Sequence, residues 1–185
     1  MIAALYVERG GPYFSMPGVD PWDVERDARK YEGPHAVVAH PPCGPWGQLR
    51  SRYKGTDHDC APAAMTAVQR FGGVLEHPAR SLLWRAHQLP EPGEFPDRFG
   101  GVTIAVNQVE WGHACAKPTW LYIVGARPVV EPPYPGRRPT HAIWWGRRER
   151  ERGDATVLLA SAEIRRRTPP LFAQWLADIA SRSAT

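Results

Sequence analysis

The chain has 185 residues, 43% of them hydrophobic, and a net charge of +4 with a pI near 9.2. That size and composition suit one globular domain with a real core, and no stretch approaches the length of a membrane span. Three cysteines, Cys43, Cys60 and Cys115, cannot all pair, so free thiols in a reducing compartment, the cytoplasm, are expected.

In chain order, residues 2–8 (IAALYVE) read as a first buried strand rather than a signal peptide, and Gly10-Gly11-Pro12 ends it. Residues 21–31 are predicted to form a short helix, with Pro21 in its first turn and Asp20 as its cap. Residues 36–40 (AVVAH), bounded by Gly-Pro and Pro-Pro, read as a short buried strand. A helix is predicted over 63–71, with Ala64, Val68 and Phe71 on one stripe, and Gly72-Gly73 leads into a strand at Val74-Leu75. Residues 102–108 and 119–125 are two further strands. Residues 127–153 lack periodicity and hold seven arginines against three glutamates, a loop-rich basic insertion whose charge favours a polyanionic partner. A last helix follows Thr168, with Leu171, Phe172, Trp175, Leu176 and Ile179 on one face.

Short apolar strands alternating with helices predict an α/β fold whose sheet is buried on both faces. Chemistry in such sheets sits beyond the carboxyl ends of the strands. That rule brings Cys43 and Glu76 together at one rim, each just past a strand. Cys43 lies in His40-Pro41-Pro42-Cys43-Gly44-Pro45, a turn rather than the apolar helix or strand in which structural cysteines are usually buried. Glu76 should be part-buried, with its pKa raised so that it exists protonated near neutral pH. A thiolate that adds to carbon 6 of a pyrimidine, with a carboxylic acid that protonates ring nitrogen 3, is the equipment for carbon-5 chemistry on cytosine. His40/Cys43, His58/Cys60 and His113/Cys115 form His–Cys pairs, but their spacings are not those of common zinc modules, and no metal is assigned.

These residues resemble the DNA (cytosine-5) methyltransferase family. His40-Pro41-Pro42-Cys43 looks like its nucleophile loop, and Leu75-Glu76-His77-Pro78 resembles its Glu-Asn-Val motif. Gly112, Cys115, Lys117 and Thr119 fall on a glycine and on the glutamine and two arginines of its Gln-x-Arg-x-Arg strand. Thr168-Pro169-Pro170-Leu171 looks like its terminal Val-Pro-Pro motif. The resemblance implies a compact Rossmann-like methyltransferase sheet with helices on both faces. It implies a catalytic core over 1–125, a reduced target-recognition region over 126–167 and a packing helix over 168–185. Cys43, Glu76 and Lys117 would be catalytic. S-adenosylmethionine would be held by Gly10, Gly11, Asp20 at the ribose, Asp27 near the adenine, Pro41 and Pro170. DNA, single-stranded or with a flipped base, would be held by Arg137, Arg138, Trp144, Trp145, Arg147 and Arg148. The cofactor end is shortened: of the family's glycine turn only Gly10 and Gly11 remain, and Asp20 follows nine residues later. A folate one-carbon donor or a free-nucleotide substrate is the alternative within the same chemistry, and an inactive DNA-binding homologue the alternative outside it.

Overall fold

The structure, a computed structural model, describes residues 1–47, 50–143 and 158–183. Its centre is a mixed sheet in the order β2-β1-β3-β4-β6-β5, formed by β1 (Ile2–Leu5), β2 (Val19–Trp22), β3 (Val37–Ala39), β4 (Gly73–Pro78), β5 (Val102–Asn107) and β6 (Pro118–Val124). The first four strands run parallel, and β6 is antiparallel to both of its neighbours. The C-terminal ends of β1 to β5 and the start of β6 therefore share one rim.

Strand alternation divides the core into two layers. Ala4, Val38, Val74, Leu121 and Ile123 face one side and are covered by α4 (Pro170–Ser183), whose Phe172, Leu176 and Ile179 are fully buried. Ala3, Leu5, Val37, Ala39, Leu75 and Tyr122 face the other side, against α1 (Cys60–Phe71) and α2 (Leu82–His87). The sheet is thus buried on both faces, as its near-continuous apolar strands require. Trp111 stacks on Trp175 at 4.7 Å and meets the edge of Phe172 at 5.5 Å. Phe172→Ala should therefore destabilise the chain by about 3–5 kcal/mol in a denaturant melt; a loss within experimental error would show that α4 is not a structural lid on the sheet.

Several predicted boundaries are corrected. Residues 21–31 form no helix: Asp20 and Pro21 lie in β2, and only Ala28–Lys30 makes a 3-10 turn, capped by Asp27. β2 is an edge strand, where a proline's missing N–H costs no ladder bond, so the demand of β1 for a partner overrides the local helix pattern. Glu76 lies within β4, not past it. Leu171 is 46% exposed, because the buried stripe of α4 runs through Phe172, Leu176 and Ile179. Gly73 must be a glycine: its φ is +117°, and a Cβ there would sit 2.0 Å from the Val37 carbonyl oxygen in the neighbouring strand. A two-stranded parallel ladder, β7 (His141–Ala142) with β8 (Leu158–Leu159), and a short helix, α3 (Ala162–Arg166), precede α4. Among the described residues no helix is long and apolar enough to cross a membrane.

Candidate active site

The common rim gathers residues that are distant in sequence. Past β1 lie Gly10 and Gly11; past β3 come His40, Pro41, Pro42 and Cys43; β4 carries Glu76 near its end; the 3-10 turn Gln108–Trp111 follows β5; and Lys117 leads into β6. The chain leaves β1 toward β2 on one side, and β3 adds on the other, so the point where the connections reverse, the usual place for a ligand in such sheets, falls between the ends of β1 and β3.

Cys43 is exposed, and its carbonyl is tied by the N–H groups of Trp46 (3.1 Å) and Gly47 (2.7 Å) in a tight turn. Surrounding protein at the rim, followed by the charge of Glu76, pushes its thiol up, while Lys117 and Arg166 partly offset this. At neutral pH the sulfur therefore carries its proton.

Glu76 is buried at 8% exposure, and both carboxylate oxygens are held. Oε2 lies 3.1 Å from His40 Nδ1, and Oε1 accepts from Gln108 Nε2 at 2.8 Å. The Gln108 orientation follows from its other partner. The Thr119 hydroxyl donates to the Lys117 carbonyl (3.0 Å), so its oxygen is free to accept, and Gln108 Nε2 donates to it at 3.0 Å. Gln108 thus presents a donor to Glu76. Tyr13 closes the other end of the string, its hydroxyl 2.8 Å from His40 Nε2. Burial, with the charge of Glu76, keeps that phenol well above its usual range and hence protonated. Tyr13 then donates to Nε2, and the Nδ1–H of His40 donates to Glu76.

The expected protonated Glu76 is therefore corrected. Burial alone would raise its pKa, but the Lys117 charge and, after it, the His40 hydrogen bond outweigh it and hold the carboxyl down at about 2. The resting pair is thiol plus carboxylate, the reverse of the thiolate plus carboxylic acid that the sequence suggested.

Of the expected site residues, Cys43, Glu76 and Lys117 meet at this rim. Cys115 and Thr119 are buried, and Thr119 acts through Gln108. Gly10 has φ +68° with nothing within 4 Å of a Cβ position. Asp20 lies opposite Ala3, two residues short of the end of β2, and its carboxylate is engaged by Trp22 Nε1 (2.8 Å) and Arg26 (2.5 Å). Asp27 is engaged by Arg29 at 2.7 Å. Pro41 is buried, and Pro170 is exposed at the start of α4.

Five further residues stand at the site. His40, Gln108 and Tyr13 build the network around Glu76. Asp23 is the buried acid that directly follows β2, its Oδ1 accepting from the N–H groups of Glu25 and Arg26. Arg166 belongs to the exposed run Arg165-Arg166-Arg167 on and just after α3 and acts on the Cys43 thiol. The signal for Arg166 is a visible triple arginine, and His40 stands in the proline-bounded Cys43 turn; Gln108, Tyr13 and Asp23 become legible only when strands are paired.

Arg137 and Arg138 are exposed at the root of the basic insertion, whereas Trp144, Trp145, Arg147 and Arg148 lie outside the described residues. That root is tied to the rim. The Tyr134 and Gly136 N–H groups donate to Glu110 (3.0 and 2.9 Å), and those of Thr140 and His141 donate to the Ala114 carbonyl (2.9 and 3.0 Å). Among the described residues no three His, Cys, Asp or Glu side chains are placed together to hold a metal ion. Comparison of the chain with protein-family models, with curated proteins and with solved structures gives no match, so the reading of the site rests on its own chemistry.

Proposed function

We propose that the chain modifies carbon 5 of cytosine in DNA, with Cys43 as the covalent nucleophile, Glu76 as the proton carrier and Lys117 as the cation beside them. The observation that carries the reading is the convergence at one rim of a turn-held thiol and an ionised, doubly anchored carboxylate. As the Sγ–C6 bond forms, the Sγ–H bond breaks. The thiol proton passes to the Glu76 carboxylate and on to ring nitrogen 3, so that carbon 5 becomes nucleophilic with no net proton uptake. After substitution the proton on carbon 5 leaves to solvent, the Sγ–C6 bond breaks, and nitrogen 3 returns its proton to sulfur through Glu76.

S-adenosylmethionine is the donor we propose, within a compact Rossmann-like methyltransferase sheet. The rim fits it: Gly10 leaves open space above the turn after β1, and Asp23 stands at the end of β2, where a ribose acid belongs. Asp23 takes the role that Asp20, engaged inside the strand, is poorly placed to fill. Bound there, the cofactor would supply an electrophilic methyl group. The chain's part would be to hold it with Gly10, Gly11, Asp23 and Pro41. Mass spectrometry of DNA nucleosides after incubation with S-adenosylmethionine should show 5-methylcytosine. Product only with a folate donor would replace the cofactor, and product only on free nucleotides would replace the substrate.

DNA is the partner that the basic surface suits. Arg137, Arg138 and Arg165 to Arg167 are exposed, Arg166 acts on the Cys43 thiol, and the sequence of the insertion holds Arg147 and Arg148 as well. Replacing Arg137, Arg138, Arg147 and Arg148 by alanine should weaken binding across sequences. It should also flatten log affinity against log salt by roughly one unit for each arginine–phosphate pair removed. Trp144→Ala or Trp145→Ala should cost affinity with little change of slope, because stacking releases few ions. An unchanged slope in the four-arginine variant would remove the insertion from DNA binding.

A further inference from the structure

Val38 of β3 pairs with Val74 of β4, and two residues further along each strand stand His40 and Glu76. Both project to the face covered by α4, and Tyr13, from the 3-10 turn Pro12–Ser15, packs against the imidazole with ring centroids 5.5 Å apart. The string Tyr13–His40–Glu76–Gln108–Thr119 crosses separate segments of the chain with every link between 2.8 and 3.1 Å. Gln108 Oε1 ends it as a buried acceptor without a partner among the described residues.

We infer that His40 is a positioning residue for Glu76: braced from behind by the Tyr13 hydroxyl, its Nδ1–H aims one carboxylate oxygen and holds the carboxyl group ready to accept the thiol proton. This rests on the reading of Glu76 as the proton carrier. The division of labour around Glu76 follows from the elements that face it. Lys117, leading into β6, supplies charge without a direct hydrogen bond, and Gln108 supplies a neutral donor to Oε1. His77, next to it on β4, packs against Trp84 with burial pressing it toward the neutral form at about 4, and His113 is likewise pressed toward neutrality by burial and Lys117. Cys43 brings a thiol, and Tyr13 a phenol that stays protonated. His40 offers Glu76 Oε2 a ring donor whose direction is fixed from behind, as Thr119 fixes Gln108 at Oε1. Tyr13 fixes it by occupying Nε2, which leaves the proton on Nδ1.

The test uses the full chain labelled with carbon-13 at glutamate carboxyls, titrated by NMR, with turnover measured beside it. Wild-type Glu76 should stay ionised down to about pH 2. His40→Ala should raise its midpoint by about one pH unit or more and lower kcat about a hundredfold with little change in KM. His40→Asn, whose amide can still donate to Oε2, should recover most of both. Tyr13→Phe should shift the midpoint in the same direction by less. An unmoved Glu76 midpoint in His40→Ala, or a His40→Asn variant as impaired as His40→Ala, overturns the proposal. If His40→Ala does not fold, Tyr13→Phe decides, since it removes one hydroxyl only, and an unshifted midpoint there is equally fatal. A wild-type protein that modifies no cytosine would instead defeat the functional reading, while the NMR titration still judges His40.

Discussion

Cys43→Ser is expected to lose turnover by on the order of 10⁴-fold or more, because a serine hydroxyl cannot become a competent nucleophile beside an ionised carboxylate. The fold should be untouched. Cys43 is exposed in a turn held by main-chain bonds to its carbonyl, so the side chain contributes little packing. With the methyl donor present, the wild-type protein should also be trapped covalently by a 5-fluorocytosine oligonucleotide, since once carbon 5 is substituted, fluorine leaves no proton to be lost and the adduct cannot be released, and the serine variant should not be. Intact-mass measurement reads both. A serine variant that still turns over, or a wild-type adduct mapped to Cys60 or Cys115, would take Cys43 out of the mechanism.

Glu76→Gln should slow the chemical step by about 10²–10⁴-fold while leaving substrate binding nearly unchanged, since an amide can hydrogen-bond the base but cannot relay a proton. Its pH profile should change in shape as well. With thiol and carboxylate as the resting pair, the wild-type proton moves within the site, so kcat/KM should be flat across neutral pH. Without the carboxylate only the rare thiolate reacts, and kcat/KM should climb with pH, because the thiol is held above its usual range. A stability signature accompanies this. The folded pKa of Glu76, about 2, lies below the ordinary 4.5, so the ionised group stabilises the fold above pH 4.5 and loses that contribution as pH falls toward 2. Thermal melts of Glu76→Gln should therefore fall less steeply than wild type over that window. A wild-type kcat/KM that itself rises log-linearly through neutral pH would mean that Glu76 does not take the thiol proton.

The rim geometry explains why Lys117 stands where it does. The antiparallel β6 starts where its parallel neighbours end, so the residue before it reaches the same edge as the residues after β3 and β5. A cation placed there holds Glu76 ionised and partly offsets the effect of burial on Cys43. One positive charge thus stabilises both partners of the proton exchange.

Apolar runs are enough to locate β1, β3, β5, β6, α1 and α4 within a few residues, because each buries a stripe or a whole strand whose period is written locally. The proline-bounded turn around Cys43 is legible for the same reason: prolines and glycines restrict the backbone without help from distant residues. β2 is not, since its extended form comes from pairing with Ile2–Leu5 and not from its own Asp-Pro-Trp-Asp pattern. The charge state of Glu76 runs opposite to what its local sequence implies. Burial is visible in the apolar run before it, whereas His40, Gln108 and Lys117 converge on it only when β3, β5 and β6 are laid beside β4. Local pattern therefore determined which residue types stand at strand ends. The tertiary structure decided which of them share a proton, because electrostatic coupling follows distance through space and not separation along the chain.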